Sequence, residues 1–325
     1  MARIDELVSL LKTAPDEVFI QPHNVPDPDA IASSFGLEQL LSELGIPAVV
    51  VYEDEIEKAN SLAMLKAFEI EMKHSAEVRT LGAEDWIVLV DVQKENANLT
   101  DLVTEEVACI DHHQYNGPKN YQFEDVRPDV GSCSAIIAEY YQKAGIEPRS
   151  QVATALLYGI LMDTDNLTRG VSQLDIDMFY ALYRFADMTK INDLKANQIS
   201  IDDLRDYAHA FETVEVYGEI GFLRLENAND SLLGAASDIV ITIAGVNVVV
   251  SYSMRPAGVK YSVRSVAPNV NAGTLVRSIV DGHGIGGGHE TMAGGFLKHE
   301  SFPDDRGIDT FTRVRAIQFL EQVTG

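Results

Sequence analysis

The first half of the chain alternates short apolar runs with longer segments whose apolar residues recur at helical spacing. Short apolar runs predict buried strands, and recurrence every three or four residues predicts amphipathic helices. The predicted strands cover residues 17–23, 47–52, 86–91 and 107–113. The predicted helices cover residues 29–45, 61–68, 132–145 and 151–165. Strands that alternate with helices in this way predict a mainly parallel sheet flanked by helices.

The pattern changes in the second half of the chain. Residues 175–217 predict a nearly continuous helix, which could connect two folded units. Beyond it, strands are predicted at residues 221–227, 246–256, 259–266 and 295–300, and helices at 271–282 and 308–323. The segment 284–295 is so rich in glycine that it predicts an irregular loop. We therefore expect an α/β protein with two lobes: a larger N-terminal domain (1–185), a helical connector (186–217) and a smaller C-terminal α/β domain (218–325).

Composition narrows the classes of function. The chain has 325 residues, is 46% hydrophobic and carries a net charge of -25. It is long enough for two separate hydrophobic cores. The electrostatic field of so acidic a chain does not attract nucleic acid. An anionic substrate must instead be bound by local cations or by metal ions.

Compartment is predicted from the cysteines and the N-terminus. The two cysteines, Cys109 and Cys133, form no disulfide framework or zinc motif and are predicted to be core residues in a reducing compartment. No apolar run of about 18 residues predicts a membrane span. The N-terminal residues predict an amphipathic helix rather than a signal peptide. We expect a cytoplasmic protein with no membrane partner.

Acids and histidines follow the apolar runs of the first half. They are His23, Asp27, Asp29, Asp91, Asp111, His112, His113, Asp163 and Asp165. In a parallel sheet these positions share one edge, where clustered carboxylates repel each other unless cations lie among them. Carboxylate and imidazole ligands suit Mn²⁺, with Mg²⁺, Co²⁺ or iron as alternatives. Two such ions about 3.5–4 Å apart are typical of phosphatases and nucleases.

Each of these residues also has a simpler interpretation. Asp27 followed by Pro28 is a good helix start, and Asp91 could simply begin a loop. His112 and His113 could lie in a surface turn, and Asp163 could be an acid at a helix end, although the helix dipole disfavours it there. Because all four positions follow apolar runs, a shared site explains them better than four separate coincidences.

The residues carry a resemblance to a known family. The stretches HNVPDPDA, VLVD, DHH and GILMDTD resemble, in order, the four motifs of the DHH phosphoesterase superfamily. The stretch GIGGGHETMAGG resembles the glycine-rich histidine motif of the smaller domain often attached to it. The resemblance spans residues 17–297, and the layout is most similar to the nano-RNase and phosphoadenosine-phosphate phosphatase branch of RecJ-like proteins. Pro28 stands where the family commonly has glycine, and it leaves both neighbouring carboxylates in place.

The resemblance implies two metal sites that share Asp91. The other ligands of the first ion would be His23 and Asp27. The other ligands of the second ion would be Asp29, His112 and Asp163.

The resemblance also implies roles for the remaining residues of these motifs. His113 would face the scissile phosphate, and Asp111 would orient an imidazole through its other ring nitrogen. Asp165 has no role in the family pattern and is expected to be structural.

Residues 239–280 contain no Asp or Glu, yet they include four cations. These cations are Arg255, Lys260, Arg264 and Arg277. Strands and core could simply exclude acids, or the window could form a surface that receives an anion, because Arg pairs well with phosphate. The resemblance implies that a terminal phosphate or nucleotide contacts Arg264, Ser265, Gly287, Gly288 and His289.

Together these patterns predict a two-metal phosphoesterase. It would hydrolyse short single-stranded oligonucleotides, and also nucleoside 3′,5′-bisphosphates, through in-line attack by a metal-bridging hydroxide. The alternatives are a cyclic- or linear-dinucleotide phosphodiesterase, a family II pyrophosphatase, a RecJ-like exonuclease, and a catalytically inactive nucleic-acid-binding subunit. The sequence is also compatible with a homodimer.

Overall fold

The computed structural model describes residues 3–56, 58–96, 98–115, 117–196, 201–301 and 307–324. The chain divides into two units, residues 1–198 and 199–325. Within the described residues, no helix is both long enough and apolar enough to cross a bilayer.

The first unit contains six strands and seven helices among its described residues. The strands are β1 (Val18–Gln21), β2 (Ala48–Tyr52), β3 (Lys73–His74), β4 (Trp86–Val90), β5 (Glu105–Asp111) and β6 (Phe123–Val126). The helices are α1 (Arg3–Leu11), α2 (Pro28–Glu43), α3 (Ala59–Ala67), α4 (Cys133–Ala144), α5 (Ser150–Asp163), α6 (Gln173–Tyr183) and α7 (Met188–Lys195). All the strands pair in parallel in the order β3-β2-β1-β4-β5-β6. The predicted α/β class is therefore confirmed.

The two faces of this sheet are covered differently. Successive strand residues point to opposite faces, so Ile20 and Val88 pack against the helices while Phe19 and Ile87 face the other way. All seven helices contribute to the core on the first face. The second face carries a small apolar cluster covered by residues of the interstrand segments, including Leu81 and Leu102.

The helical stretch expected over residues 175–217 is not continuous. It contains α6, α7 and, in the second unit, α8 (Ile201–Glu212). The Asp187 side chain accepts hydrogen bonds from the amides of Thr189 and Lys190, which starts α7 as a new helix. Because α6 and α7 also bury apolar residues in the core of the first unit, they are part of it. The predicted domain boundaries stay predictions.

The second unit is built on a mixed sheet. Its strands are β7 (Glu215–Tyr217), β8 (Ile220–Glu226), β9 (Val248–Arg255), β10 (Gly258–Ser265), β11 (Gly284–Gly288) and β12 (Met292–Lys298). Its helices, besides α8, are α9 (Asp230–Val240), α10 (Ala272–Val280) and α11 (Ile308–Thr324). The order is β11-β12-β10-β9-β8-β7, with β8 and β9 parallel and the other pairs antiparallel.

The expectation of an irregular loop at residues 284–295 is wrong. The segment contains β11 and the start of β12, which pair with Gly286 opposite Gly295 and Gly287 opposite Gly294. A Cβ at Gly284 would lie 2.1 Å from the Phe296 carbonyl oxygen, and one at Gly295 would lie 2.7 Å from a Val276 methyl. Here the glycines permit close packing of strand on strand and of sheet on α10, so a glycine-rich stretch is regular.

Candidate metal centre

The acids and histidines of the first unit lie where the strand order reverses. Chain connections run outward from β1 to β2 and from β4 to β5, which leaves a crevice at the carboxyl ends of these strands. His23 lies two residues after β1, Asp91 directly follows β4, and Asp111 ends β5. The sheet topology therefore brings three separate motifs to one place.

The first group of potential ligands consists of His23, Asp27 and Asp91. His23 Nε2 lies 3.8 Å from Asp91 Oδ2 and 4.0 Å from Asp27 Oδ2. One ligand atom from each residue lies within 4.8 Å of the others. His23 and Asp91 are buried, so this group is a compact, mostly dry set of donors.

The second group consists of Asp29, His112 and Asp163. His112 Nε2 lies 3.2 Å from Asp163 Oδ2 and 3.9 Å from Asp29 Oδ2. The three ligand atoms again lie within 4.8 Å of one another. Asp163 is the last residue of α5, where the negative end of the helix dipole makes a nearby cation favourable.

Asp91 lies between the two groups. Its Oδ1 is 3.3 Å from His112 Nε2, and its Oδ2 faces His23. Among the described residues, this buried Oδ1 lacks a hydrogen bond of good geometry. The residue also has φ +62, a conformation that costs a non-glycine residue about 1 kcal/mol or more and is often found at functional sites. A cation bound here would interact favourably with this buried carboxylate oxygen.

Backbone groups orient two ligands of the second group, His112 and Asp29. His112 Nδ1 lies 3.2 Å from the Val130 carbonyl oxygen, which can only accept, so the proton is on Nδ1 and Nε2 can bind a metal. Asp29 accepts from the amides of Cys133 (2.7 Å) and Ser134 (2.9 Å), at the start of α4. The sequence analysis missed these partners, although it predicted a helix over residues 132–145.

Asp27 combines the two interpretations that the sequence left open. Its Oδ1 accepts from the amides of Asp29 and Ala30 and so caps α2, with Pro28 as the first helical residue. Its other oxygen, Oδ2, faces His23. A capping carboxylate has a second oxygen to offer, so capping and ligation are compatible.

His113 is held beside the two groups by a buried acid. Its Nδ1 lies 2.8 Å from Asp111 Oδ1 and 3.6 Å from Asp91 Oδ1. Asp111 in turn accepts from the Gln93 side chain at 2.6 Å, a partner the sequence analysis missed. Burial alone lowers the pKa of His113, but the Asp111 hydrogen bond and the Asp91 charge outweigh it and raise that pKa to about 9.

The electrostatics of this cluster favour bound cations. Burial raises the pKa of Asp91 well above its usual range, and the Asp29 charge adds to the effect. Burial and the Asp29 charge likewise raise the pKa of Asp163 to about 7. Protons or metal ions must therefore offset the crowded carboxylates, and mixed imidazole and carboxylate donors fit divalent manganese well. Asp165, in contrast, is exposed and belongs to none of the potential ligand groups.

In the second unit, Arg264 lies on β10 with its side chain mostly buried. Its Nε donates to Asp238 of α9 at 2.5 Å, and its Nη1 donates to Ser262 Oγ and to the Val263 carbonyl. Ser265 is 2% exposed, and its Oγ accepts from the amide of Ala267. Both residues have protein partners.

The cations of the acid-free window are compensated from outside it. Arg255 and Lys260 both pair with Asp230, and Arg264 pairs with Asp238; both acids lie on α9. Arg277 is exposed on α10. Residues 239–280 thus contain no acids themselves, but acids of α9 lie beside their cations in the folded unit. A phosphate-binding role for these residues stays a prediction.

The glycine–histidine motif lies at the same end of the sheet as Ser265. The Ser265 amide donates to the Thr291 carbonyl, and Gly288 pairs opposite Ala293. Gly287 has open space where a Cβ would be, whereas Gly288 has φ +145 and would clash with Ala293. The carbonyl of His289 accepts from the amide of Gly273 near the start of α10.

Two family models match the chain. The DHH family N-terminal domain matches residues 17–160, and the DHHA1 domain matches residues 218–306. Together they cover most of the chain. The chain therefore belongs to the DHH phosphoesterase superfamily, a class of metal-dependent hydrolases.

Three curated relatives are each about a quarter identical to this chain over the residues that align. An uncharacterized protein of Methanocaldococcus jannaschii is 27% identical over 87% of this chain, which spans 58% of that protein. A bifunctional oligoribonuclease and PAP phosphatase, NrnA of Thermus thermophilus, is 26% identical over 90% of this chain and 87% of its own length. A probable manganese-dependent inorganic pyrophosphatase of Streptococcus thermophilus is 27% identical over 46% of this chain and 48% of its own length.

Solved structures share the fold. An exopolyphosphatase-related protein from Bacteroides fragilis superposes with a TM-score of 0.83 at 18% identity, covering 99% of this chain and 98% of its own. RecJ from Thermus thermophilus, in complex with Mn²⁺, superposes with a TM-score of 0.59 at 14% identity, covering 99% of this chain and 55% of its own.

Proposed function

We propose that this chain is a two-metal phosphoesterase that hydrolyses short single-stranded oligonucleotides and nucleoside 3′,5′-bisphosphates. The observation that carries the proposal is the pair of ligand groups with Asp91 between them. The relative named as an oligoribonuclease and PAP phosphatase supports the choice of substrate, since it aligns with nearly the whole chain.

Two divalent cations, with manganese preferred, are proposed as the cofactors. His23 and Asp27 would hold one, Asp29, His112 and Asp163 the other, and Asp91 would bind both. When bound, such ions lower the pKa of water and neutralise charge on a transferring phosphoryl group. The relative named as manganese-dependent supports the choice of metal.

His113 is proposed to contact the phosphoryl group. Asp111 holds its Nδ1, so Nε2 is the ring atom that would donate to a phosphoryl oxygen as charge develops there. Gln93 fixes Asp111 from behind and keeps the ring orientation constant.

The second unit is proposed to bind a terminal phosphate or nucleotide. Its candidate contacts are Arg264, Ser265, Gly287, Gly288 and His289. A guanidinium and backbone amides are suitable donors for a terminal phosphate. The homodimer and the cytoplasmic location remain predictions from sequence.

A substrate panel tests the proposal. Purified protein, stripped of metal and reloaded with Mn²⁺, would be given dinucleotides, longer RNA, short DNA, adenosine 3′,5′-bisphosphate, cyclic dinucleotides and pyrophosphate. We expect the linear dinucleotides and the bisphosphate to be hydrolysed fastest. Preference for pyrophosphate or cyclic dinucleotides would replace the proposed substrate, and bound metal without hydrolysis of any of them would favour a binding subunit.

A matched pair of variants tests the site within that assay. Asp91→Asn should lower the rate by about 10²–10³-fold or more, because the shared ligand is lost. Asp165→Asn, the control, should keep the parental rate. Both positions have positive φ, and asparagine tolerates that conformation, so backbone strain is similar in the two variants. Equal rates in both variants would contradict the assigned site.

A further inference from the structure

Asp175, near the start of α6, is a fully buried carboxylate outside the ligand groups. Its Oδ2 accepts from the Gly131 amide at 2.8 Å, and its Oδ1 accepts from the Ser132 hydroxyl at 2.8 Å. The amide and hydroxyl of Ser172 also donate to it. One carboxylate therefore joins the start of α6 to the segment that precedes α4.

The segment that Asp175 binds lies between the groups that orient two ligands of the second metal. On one side of Gly131 is Val130, whose carbonyl oxygen accepts from His112. On the other side of Ser132 are the amides of Cys133 and Ser134, which donate to Asp29. Movement of residues 131–132 would displace the partners of both ligands at once.

A simple helix cap explains only part of this arrangement. Asp175 and Ser172 form a capping box, which would stabilise α6 without any other contact. The bonds to Gly131 and Ser132 add a link across more than 40 residues of sequence. The packing is also tight, since a Cβ at Gly131 would lie 2.7 Å from Asp175 Oδ2 and 2.6 Å from the Gly170 carbonyl oxygen.

We propose that Asp175 is a positioning residue for the second metal ion, acting through residues 131–132 on His112 and Asp29. The proposal rests on the proposed metal centre. Residues that hydrogen-bond to the ligands of a metal ion commonly change the affinity of the site for that ion by about 10–100-fold when they are removed. The first ligand group, His23 and Asp27 with Asp91, is oriented by other elements and should be less affected.

Metal binding to Asp175→Asn tests the proposal without relying on activity. Asparagine keeps the size of the side chain but removes its charge and replaces one accepting oxygen with a donor. That donor either opposes the Gly131 amide or forces the Ser132 hydroxyl to turn and accept. In a Mn²⁺ titration by calorimetry, with bound metal counted by elemental analysis, the parent should bind two ions. The variant should keep one and bind the second about 10–100-fold more weakly.

Asp125→Asn is the control for general destabilisation. Asp125 is also a buried carboxylate of the first unit, and its side chain bonds to Arg127 and Tyr140. We expect its substitution to lower the unfolding temperature while both ions bind with parental affinity. Loss of the second ion in both variants to the same degree would overturn the positioning role, as would parental affinity in Asp175→Asn.

Gly131→Ala is a second variant, useful if Asp175→Asn does not fold. It removes no polar group, but its Cβ must push Asp175 and the Gly170 carbonyl away. Weaker binding of the second ion supports the proposal, and two ions bound with parental affinity overturn it. Parent protein that binds fewer than two ions would instead refute the two-metal centre, and the positioning role with it.

Discussion

The two units offer two different kinds of candidate binding region. In the first unit, acids and histidines from four segments converge, and two ligands of the second group, Asp29 and His112, are held by backbone groups of other elements. In the second unit, the candidate cation Arg264 already pairs with an acid of the same unit, and the glycines bring backbone close to backbone. The first region concentrates uncompensated charge, and the second balances its charge locally.

This difference indicates which region would carry out metal-assisted hydrolysis and which would select the substrate. Crowded carboxylates with raised pKa values need cations, so the first region is suited to metal-assisted chemistry. A balanced ion pair has little net attraction for a distant anion, yet it can exchange partners when a phosphate arrives. Under the proposed function, the second region would contribute recognition rather than catalysis.

The largest expected effect is on stability, and it tests whether the glycines of β11 are required for close packing in the second region. Gly284→Ala should destabilise the protein by about 1–3 kcal/mol, because its Cβ would lie 2.1 Å from the Phe296 carbonyl oxygen. Chemical denaturation followed by circular dichroism would measure the loss. The metal content of the first unit in the folded variant should stay parental.

Gly287→Ala is the control in the same strand. Its added Cβ would meet open space, so the unfolding free energy should change by less than about 0.5 kcal/mol. If both variants were equally stable, residues 284–288 would behave as the flexible loop that composition suggested, and the close-packing account would fail.

The comparison also explains which parts of the molecule could be read from sequence. Four of the six strands of the first sheet were predicted, because buried parallel strands are continuous apolar runs, as in residues 86–90. The two edge strands, β3 and β6, contain no such run and were not predicted. The convergence of Asp91 with His112 followed from parallel strands ending at one edge. The strand β11 was not predictable, because its glycines reflect the close approach of Phe296 and Val276, which no local pattern encodes. Partners such as Val130 and Asp175 were hidden for a related reason: they act through backbone groups or distant contacts.

A second expected effect concerns the charge of the first region. Mn²⁺ should bind more tightly as the pH rises from about 6 to 8, because metal binding must displace protons and the pKa of Asp163 is about 7. The apparent affinity should rise by up to about tenfold per pH unit for each proton released. Calorimetry in buffers of different ionisation enthalpy would count those protons.

The metal-free protein should show the opposite trend in stability. The pKa of Asp163 is raised in the folded state, so the folded protein holds more protons than the unfolded chain between about pH 4 and 7. The contribution of Asp163 to the unfolding free energy should therefore fall as the pH rises from about 4 to 7. Asp163→Asn should flatten the trend, and an equally steep trend in that variant would assign it to other groups.

The smallest expected effect concerns the ion pair of the second region. If Arg264 contacts a substrate phosphate, Arg264→Ala should raise KM about tenfold, the loss of one charge-assisted hydrogen bond, with a much smaller change in kcat. Asp238→Asn should lower KM by about two- to fivefold, because the carboxylate that competes for the guanidinium is removed. Asp230→Asn is the matched control, since Asp230 lies on the same helix but pairs with Arg255 and Lys260. Steady-state kinetics on a dinucleotide would distinguish the outcomes. An unchanged KM in Arg264→Ala would remove the arginine from the substrate site, and equal shifts in the two aspartate variants would reduce the effect to general surface charge.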